Sequence, residues 1–239
     1  MNLVLTDVLA CPRCGPPFGL ILLADSMRER RVLEGVLGCP NCYGRYPVRG
    51  GLADLRAVPE GAPAVSAGEG PGTPSGEAGA GPGGGTAAGS VSPAATATRL
   101  AALMGLESGG VLGRLVALLV GPVARVAPEL SSALEELEVV AADPVTAGWS
   151  ESPGVSRALV AGRLPFFDGL VRGVTLSDEA VDLFLEEGLR VLHPIGRLVL
   201  QGAPVLGAAG AALRARVERA GGQVLAVAGD TLVAGARPR

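Results

Sequence analysis

Cys11-Pro12-Arg13-Cys14-Gly15 and, farther on, Cys39-Pro40-Asn41-Cys42-Tyr43-Gly44 hold all four cysteines of the chain. They fall as two C-x-x-C pairs, each with Pro after its first Cys and a Gly just beyond its second. That is the form of a zinc knuckle, a tight turn that aims two thiolates at one metal. Four thiolates around Zn²⁺ close a tetrahedron and leave no position for water, so Cys11, Cys14, Cys39 and Cys42 predict a structural rather than a catalytic ion. An iron site of the same shape is the alternative. Two disulfides would need an oxidising compartment to which nothing directs the chain, and a redox C-x-x-C would be single.

The 239 residues suffice for one large domain or two small ones. Every one of the 20 basic residues is Arg, aromatics are 3%, and the net charge is −3. That balance argues against a surface that coats nucleic acid. No apolar run approaches the roughly 20 residues needed to span a bilayer. Residues 1–10 contain Asp7 and no basic cluster, unlike a signal peptide. The expectation is a cytoplasmic protein.

Outward from the cysteines, residues 1–56 form the ribbon. Residues 2–10 suggest a short helix or turn, 18–24 a strand, and 28–37 its return. So small a unit cannot bury enough apolar surface unaided, and a metal supplies the missing stability. Seven arginines against five acids leave it slightly basic, which reads as a solvated face. The pattern LxxxLACPRCG, a strand pair, then GCPNCYGRYPVRGGLADL resembles the small zinc-ribbon family that includes the activator subunit of tRNA and protein methyltransferases. Tyr46-Pro47-Val48 and Gly50-Gly51-Leu52 carry that resemblance. It implies a protein that docks on a methyltransferase domain and does no chemistry itself. An exposed ribbon edge can add a strand to a partner sheet.

Residues 57–97 are almost wholly Ala, Gly, Pro, Ser, Thr, Glu and Val. Without apolar periodicity they predict a disordered linker, spanning roughly 35 Å as a random coil.

Residues 98–239 predict an α/β domain, a parallel sheet with an antiparallel edge. Strands are expected at 115–120, 138–142, 158–161, 169–176 and 197–201. A closing hairpin is expected over Gly229-Asp230. Helices are expected at 98–106 behind a Thr98 cap, at 123–137 divided by Pro128, at 179–192 behind a Ser177-Asp178 cap, and at 206–220. His193-Pro194-Ile195-Gly196 reads as a turn and His193 as a solvated residue in it. Trp149 reads as loop packing.

Leu164-Pro165-Phe166-Phe167-Asp168, with the run from Glu186 through His193-Pro194-Ile195-Gly196 to Leu200, resembles a class I S-adenosylmethionine-dependent methyltransferase. That resemblance implies a Rossmann-like fold and three cofactor anchors: a Gly-rich turn after the first strand, an acid ending the second, and an acid after the third. In place of the first, the chain has Leu119-Val120-Gly121-Pro122-Val123, with one Gly, no acid, and bulk where backbone must pass closely. The second remains as Asp143, although an Asp before Pro is also ordinary turn chemistry. At the third stands Gly162-Arg163. Gly121 and Asp143 are therefore the candidate cofactor residues, and S-adenosylmethionine itself is doubtful. No catalytic residue is legible. The expectation is a non-catalytic binding or assembly module, its ribbon docked on its own methyltransferase-like domain and its partner another protein. The alternative is an active methyltransferase acting on protein, RNA or a small molecule.

Overall fold

The structure, a computed structural model, describes residues 1–56, 92–106, 115–134 and 136–237. Residues 57–91 of the expected linker lie outside the described residues.

Met1 and Asn2 enter the ribbon through a 3-10 turn, Leu3–Asp7, which Asn2 caps by accepting from the Val4 N–H. Strands β1 (Ala10–Cys11) and β2 (Gly15–Gly19) pair around the first knuckle. A long hairpin follows, β3 (Ile21–Arg28) and β4 (Arg31–Gly38), then β5 (Arg45–Arg49) and β6 (Leu52–Asp54). The last two had no expectation attached: β6 is only three residues, too short for a period to show.

The second unit runs α1 (Pro93–Met104), β7 (Leu115–Val120), α2 (Ala127–Ala133), β8 (Leu137–Ala142), β9 (Val155–Leu159), β10 (Val171–Ser177), α3 (Glu179–Val191), β11 (Leu192–Gln201), α4 (Gly207–Arg219), β12 (Gly222–Ala228) and β13 (Thr231–Ala236). Helix α1 starts earlier than expected. Ser92, not Thr98, is its cap, accepting from Ala95 N–H at 3.2 Å with Pro93 in the first turn. Thr98 instead sits inside the helix and donates its hydroxyl to Ala94 O. The helix expected at 123–137 is a 3-10 turn, Pro122–Val126, followed by α2, the break falling after Val126 and Pro128 sitting in the first turn of α2. Strand β9 lies three residues earlier than expected. At the start of α3, Asp178 makes no side-chain cap and Ser177 ends β10. Residues 193–196 form a bulge within β11: Val171 pairs with Leu192, but Gly173 already pairs with Arg197.

Among the described residues eleven strands make one sheet, in the order β12-β13-β11-β10-β7-β8-β9-β6-β5-β4-β3. From β11 to β6 all neighbours are parallel. The 3-2-1-4-5 order of β9, β8, β7, β10 and β11, with helices on both faces, is the doubly wound Rossmann-like fold of methyltransferases, and β12 and β13 supply the antiparallel edge. The ribbon extends this sheet directly. Leu52, Ala53 and Asp54 of β6 pair in parallel with Arg157, Ala158 and Leu159 of β9.

Alternation along β7 shows how the layers form. Val116, Leu118 and Val120 face a core shared with α3, α4 and the ribbon residues Leu5, Leu9 and Leu55. Ala117 and Leu119 face the opposite layer of α1 and α2. Leu55 is 1% exposed; burial of such a side chain is worth about 1.5–3 kcal/mol. A second seam binds the ribbon to the loop after β9: Ala10 N–H donates to Pro165 O and Phe167 N–H to Val8 O, both at 3.0 Å. The Leu164-Pro165-Phe166 segment thus packs on the ribbon, with Leu164 and Phe166 fully buried. Arg190 of α3 holds that segment in place through Leu164 O and Phe166 O.

Candidate functional site

The ligand atoms of Cys11, Cys14, Cys39 and Cys42 lie within 4.8 Å of one another. The Cys11–Cys42 and Cys14–Cys39 sulfur pairs are 3.7 and 3.8 Å apart. A tetrahedral ion with Zn–S bonds of about 2.3 Å would set its sulfurs about 3.8 Å apart. Burial raises Cys11, but the Tyr46 hydroxyl and the backbone N–H groups of Cys14 and Arg13 overcome it and bring the thiol to about 7. Burial pushes Cys42 up to about 12. The Asn41 amide donates to Cys14 Sγ at 3.3 Å. These donors sit where thiolate charge would need support. A Cβ on Gly44 would crowd the cluster, lying 3.0 Å from the Tyr46 hydroxyl and 3.2 Å from Cys42 Sγ.

The second site is a cleft of about 750 Å³ at the carboxyl ends of the parallel strands, where ligands bind in open α/β sheets. It crosses five neighbouring strand ends in order: Ser177 ending β10, Gly121 after β7, Asp143 after β8, Val160 after β9 and Arg56 after β6. Leu159, Leu183, Phe184, Ala142 and Pro144 make much of its wall apolar.

Gly121 has φ +85, and a Cβ there would meet Ser177 O at 2.9 Å, so only glycine fits comfortably. Its turn offers little to a ligand. Gly121 N–H donates to Ala142 O, Ala124 N–H to Gly121 O, and Val123 N–H to Ser177 Oγ at 3.1 Å. Pro122 has no N–H. Asp143 caps the 3-10 turn Pro144–Gly148, its Oδ1 accepting from Val145 N–H at 2.8 Å. Its side chain also lines the cleft, so the turn role and a ligand role coexist.

Residues 2–51 match the Trm112p-like protein family. The Trm112p-like segment thus covers the cysteine cluster and β1 to β5. No curated protein sequence matches the chain significantly. Among solved structures, the antibiotic-resistance methyltransferase Kmr is 19% identical with a TM-score of 0.42, covering 62% of this chain and 94% of its own. A chain from the complex between the Haloferax volcanii Trm112 methyltransferase activator and a methyltransferase is 18% identical, TM-score 0.45, covering 60% and 89%. A TehB-like S-adenosylmethionine-dependent methyltransferase from Corynebacterium glutamicum is 14% identical, TM-score 0.45, covering 63% and 90%.

Of the residues singled out in the sequence, the four cysteines come together in the Trm112p-like segment, and Gly121 and Asp143 share one cleft. His193 lies near the amino end of β11, away from the carboxyl ends that form the cleft, and its Nδ1 accepts from Ile195 N–H. Trp149 packs against the core of α1 and α2. Arg56 and Ser177 were missed as site residues. Arg56 belongs to no motif, and Ser177 reads as a helix cap until its strand is placed beside the Gly121 turn. No helix among the described residues is long and apolar enough to cross a membrane.

Proposed function

We propose that this protein is a zinc-stabilised, methyltransferase-like binding module. In this reading its Trm112p-like segment serves its own Rossmann-like domain, and the cleft holds a ligand without transferring a methyl group. The observation that carries it is the hydrogen-bond accounting at Gly121. A ligand carboxylate at a strand-to-helix turn is held by backbone N–H groups that are otherwise unpaired. Here those of Gly121, Val123 and Ala124 are engaged within the protein and Pro122 has none. The Gly121 turn therefore lacks a backbone cradle for the amino-acid half of S-adenosylmethionine. Zinc in the four-thiolate cluster would hold the ribbon rigid, and β6 would carry that rigidity into β9 by strand addition.

The open cleft lined by Gly121 and Asp143 favours a second reading, an active S-adenosylmethionine-dependent methyltransferase. Isothermal titration of the zinc-loaded chain with S-adenosylmethionine separates the two. The expected result is no micromolar binding. Micromolar binding that disappears in Asp143→Ala would overturn the non-catalytic reading.

A further inference from the structure

Among the described residues the large sheet ends in two free edges, β3 and β12. A free edge presents unpaired N–H and C=O groups, and charge on the strand is the usual guard against unwanted pairing. Edge β3 is guarded: Asp25 and Arg28 lie in it, and Glu29 and Arg30 make the turn that follows. Edge β12 is bare. Gly222–Ala228 reads Gly-Gln-Val-Leu-Ala-Val-Ala, with no charge and no proline. Leu225 is 51% exposed and Val227 37%. Among the described residues no hydrogen bond reaches this strand except from β13.

We infer that a second copy of this chain pairs with β12, edge to edge and antiparallel, in a two-fold dimer. The inference goes beyond the reading of the cleft and does not rest on it. Two identical edges that pair antiparallel are related by an axis perpendicular to the sheet. That axis sets the two copies of α4 side by side on one face of the joined sheet, also antiparallel. The contacts of α4 fix which side it presents there. Gly210, Leu213 and Val217 are buried beneath it. Arg216 pairs with Asp182 and Glu186 of α3, which marks the side facing away from the free edge. At 3.6 residues per turn, Gly207, Ala211, Arg214 and Glu218 fall on the other side, toward the edge. Glu218 is exposed and makes no ion pair among the described residues, and Arg214 spends one N–H on Val205 O at 2.9 Å. Arg214 and Glu218 are one turn apart. Reversing the helix direction therefore sets Arg214 against the second copy's Glu218, twice over, so this surface is its own complement in charge. Gly207 and Ala211 leave the helices room to approach. The two contacts also share a level. Measured from the turn between α4 and β12, Leu225 lies roughly 10 Å along the strand and Arg214 roughly 8 Å along the helix. A strand pair alone would be small against the roughly 1,200 Å² of a stable interface, and the helix pair supplies the second layer.

The test is sedimentation velocity of the full zinc-loaded chain, kept under a thiol reductant, over about 1–100 μM. The expected species is a dimer in reversible exchange with monomer. Leu225→Lys and, separately, Val227→Lys put a charge on the bare edge, and each is expected to weaken the dimer about tenfold or more. Glu218→Arg sets like charges against each other and is expected to weaken it about tenfold. Arg214→Glu together with Glu218→Arg re-forms the pairs in the opposite sense and is expected to recover the affinity to within about threefold. Leu23→Lys, on β3, is expected to leave the dimer unchanged. An unchanged unfolding midpoint confirms the fold of each variant, and should Leu225→Lys fail to fold, Val227→Lys and the charge swap carry the test. Monomer at every concentration overturns the inference. So does growth beyond the dimer, which would mark β12 pairing with β3 of the next copy. So does a dimer that survives both lysine variants, or a charge swap that recovers nothing lost in Glu218→Arg.

Discussion

Arg31, on the ribbon hairpin, directs its Nη1 at Oε1 of Glu138 on β8, 3.4 Å away, with both side chains buried. Glu138 also accepts from the Asn2 amide at 2.7 Å and the Ser156 hydroxyl at 2.5 Å. Arg31 turns its remaining donors to Glu151 and Val155 O. The seam between the two units is thus a buried polar network as well as a strand pair. A buried pair of this kind adds little net stability over an apolar replacement, but removing one partner strands the other.

Glu138→Ala should therefore destabilise the chain by about 3–5 kcal/mol. Glu138→Gln, which keeps an acceptor for Asn2 and Ser156, should cost less. Denaturant unfolding monitored by far-UV circular dichroism measures both. A Glu138→Ala loss below about 1 kcal/mol would show that the network does not hold the seam.

One zinc per chain is expected from elemental analysis. Chelation, or Cys39→Ser, should lower the unfolding midpoint of the whole chain and not only of a ribbon transition, because β6 lies within the continuous sheet. Thiolates must lose protons to bind metal, so the ion should leave as the solution is acidified. Separate transitions in the metal-free chain, with the second unchanged, would contradict the coupling.

Gly121→Ala places a Cβ 2.9 Å from Ser177 O at φ +85. A cost of about 1–3 kcal/mol is expected from the strained backbone and the close approach. Ser177→Ala removes the acceptor of Val123 N–H and should cost about 1–3 kcal/mol. Thermal unfolding of the two variants checks the values.

Asp54 is raised by its partial burial, but hydrogen bonds from Arg56 outweigh this and hold its carboxyl below the usual carboxylate range. A depressed carboxyl contributes stability above its unfolded value, near 3.9, and loses it as the pH falls through the folded value. The stability gap between the unaltered chain and Asp54→Asn should therefore be constant at neutral pH and close below about pH 4. A gap that widens on acidification would refute the sign.

How much was legible varied with the range of the interactions involved. The apolar runs of β7, β8 and β10 are buried on both faces, so strand type shows in the residues themselves. The hairpin over Gly229-Asp230 was readable for a similar local reason. Helix ends were less so. Ser92 caps α1 from within a stretch whose composition reads as linker, and Ser177 resembles a cap but serves the Gly121 turn from the neighbouring strand. Strand β9 was misplaced because Ser156 and Arg157, polar in sequence, are buried by partners from elsewhere in the chain.

The residues alone determined that four thiolates share one centre, because the spacing of two knuckles is a local property of two tight turns. They also determined that alternating apolar strands and helices build a doubly wound sheet ending in Gly121 and Asp143. Only the tertiary structure decided that the ribbon continues that sheet and that Arg56 enters the cleft. Three residues of β6 carry no period of their own; the N–H and C=O groups of β9, and the apolar pocket around Leu55, supply the free energy that makes them a strand.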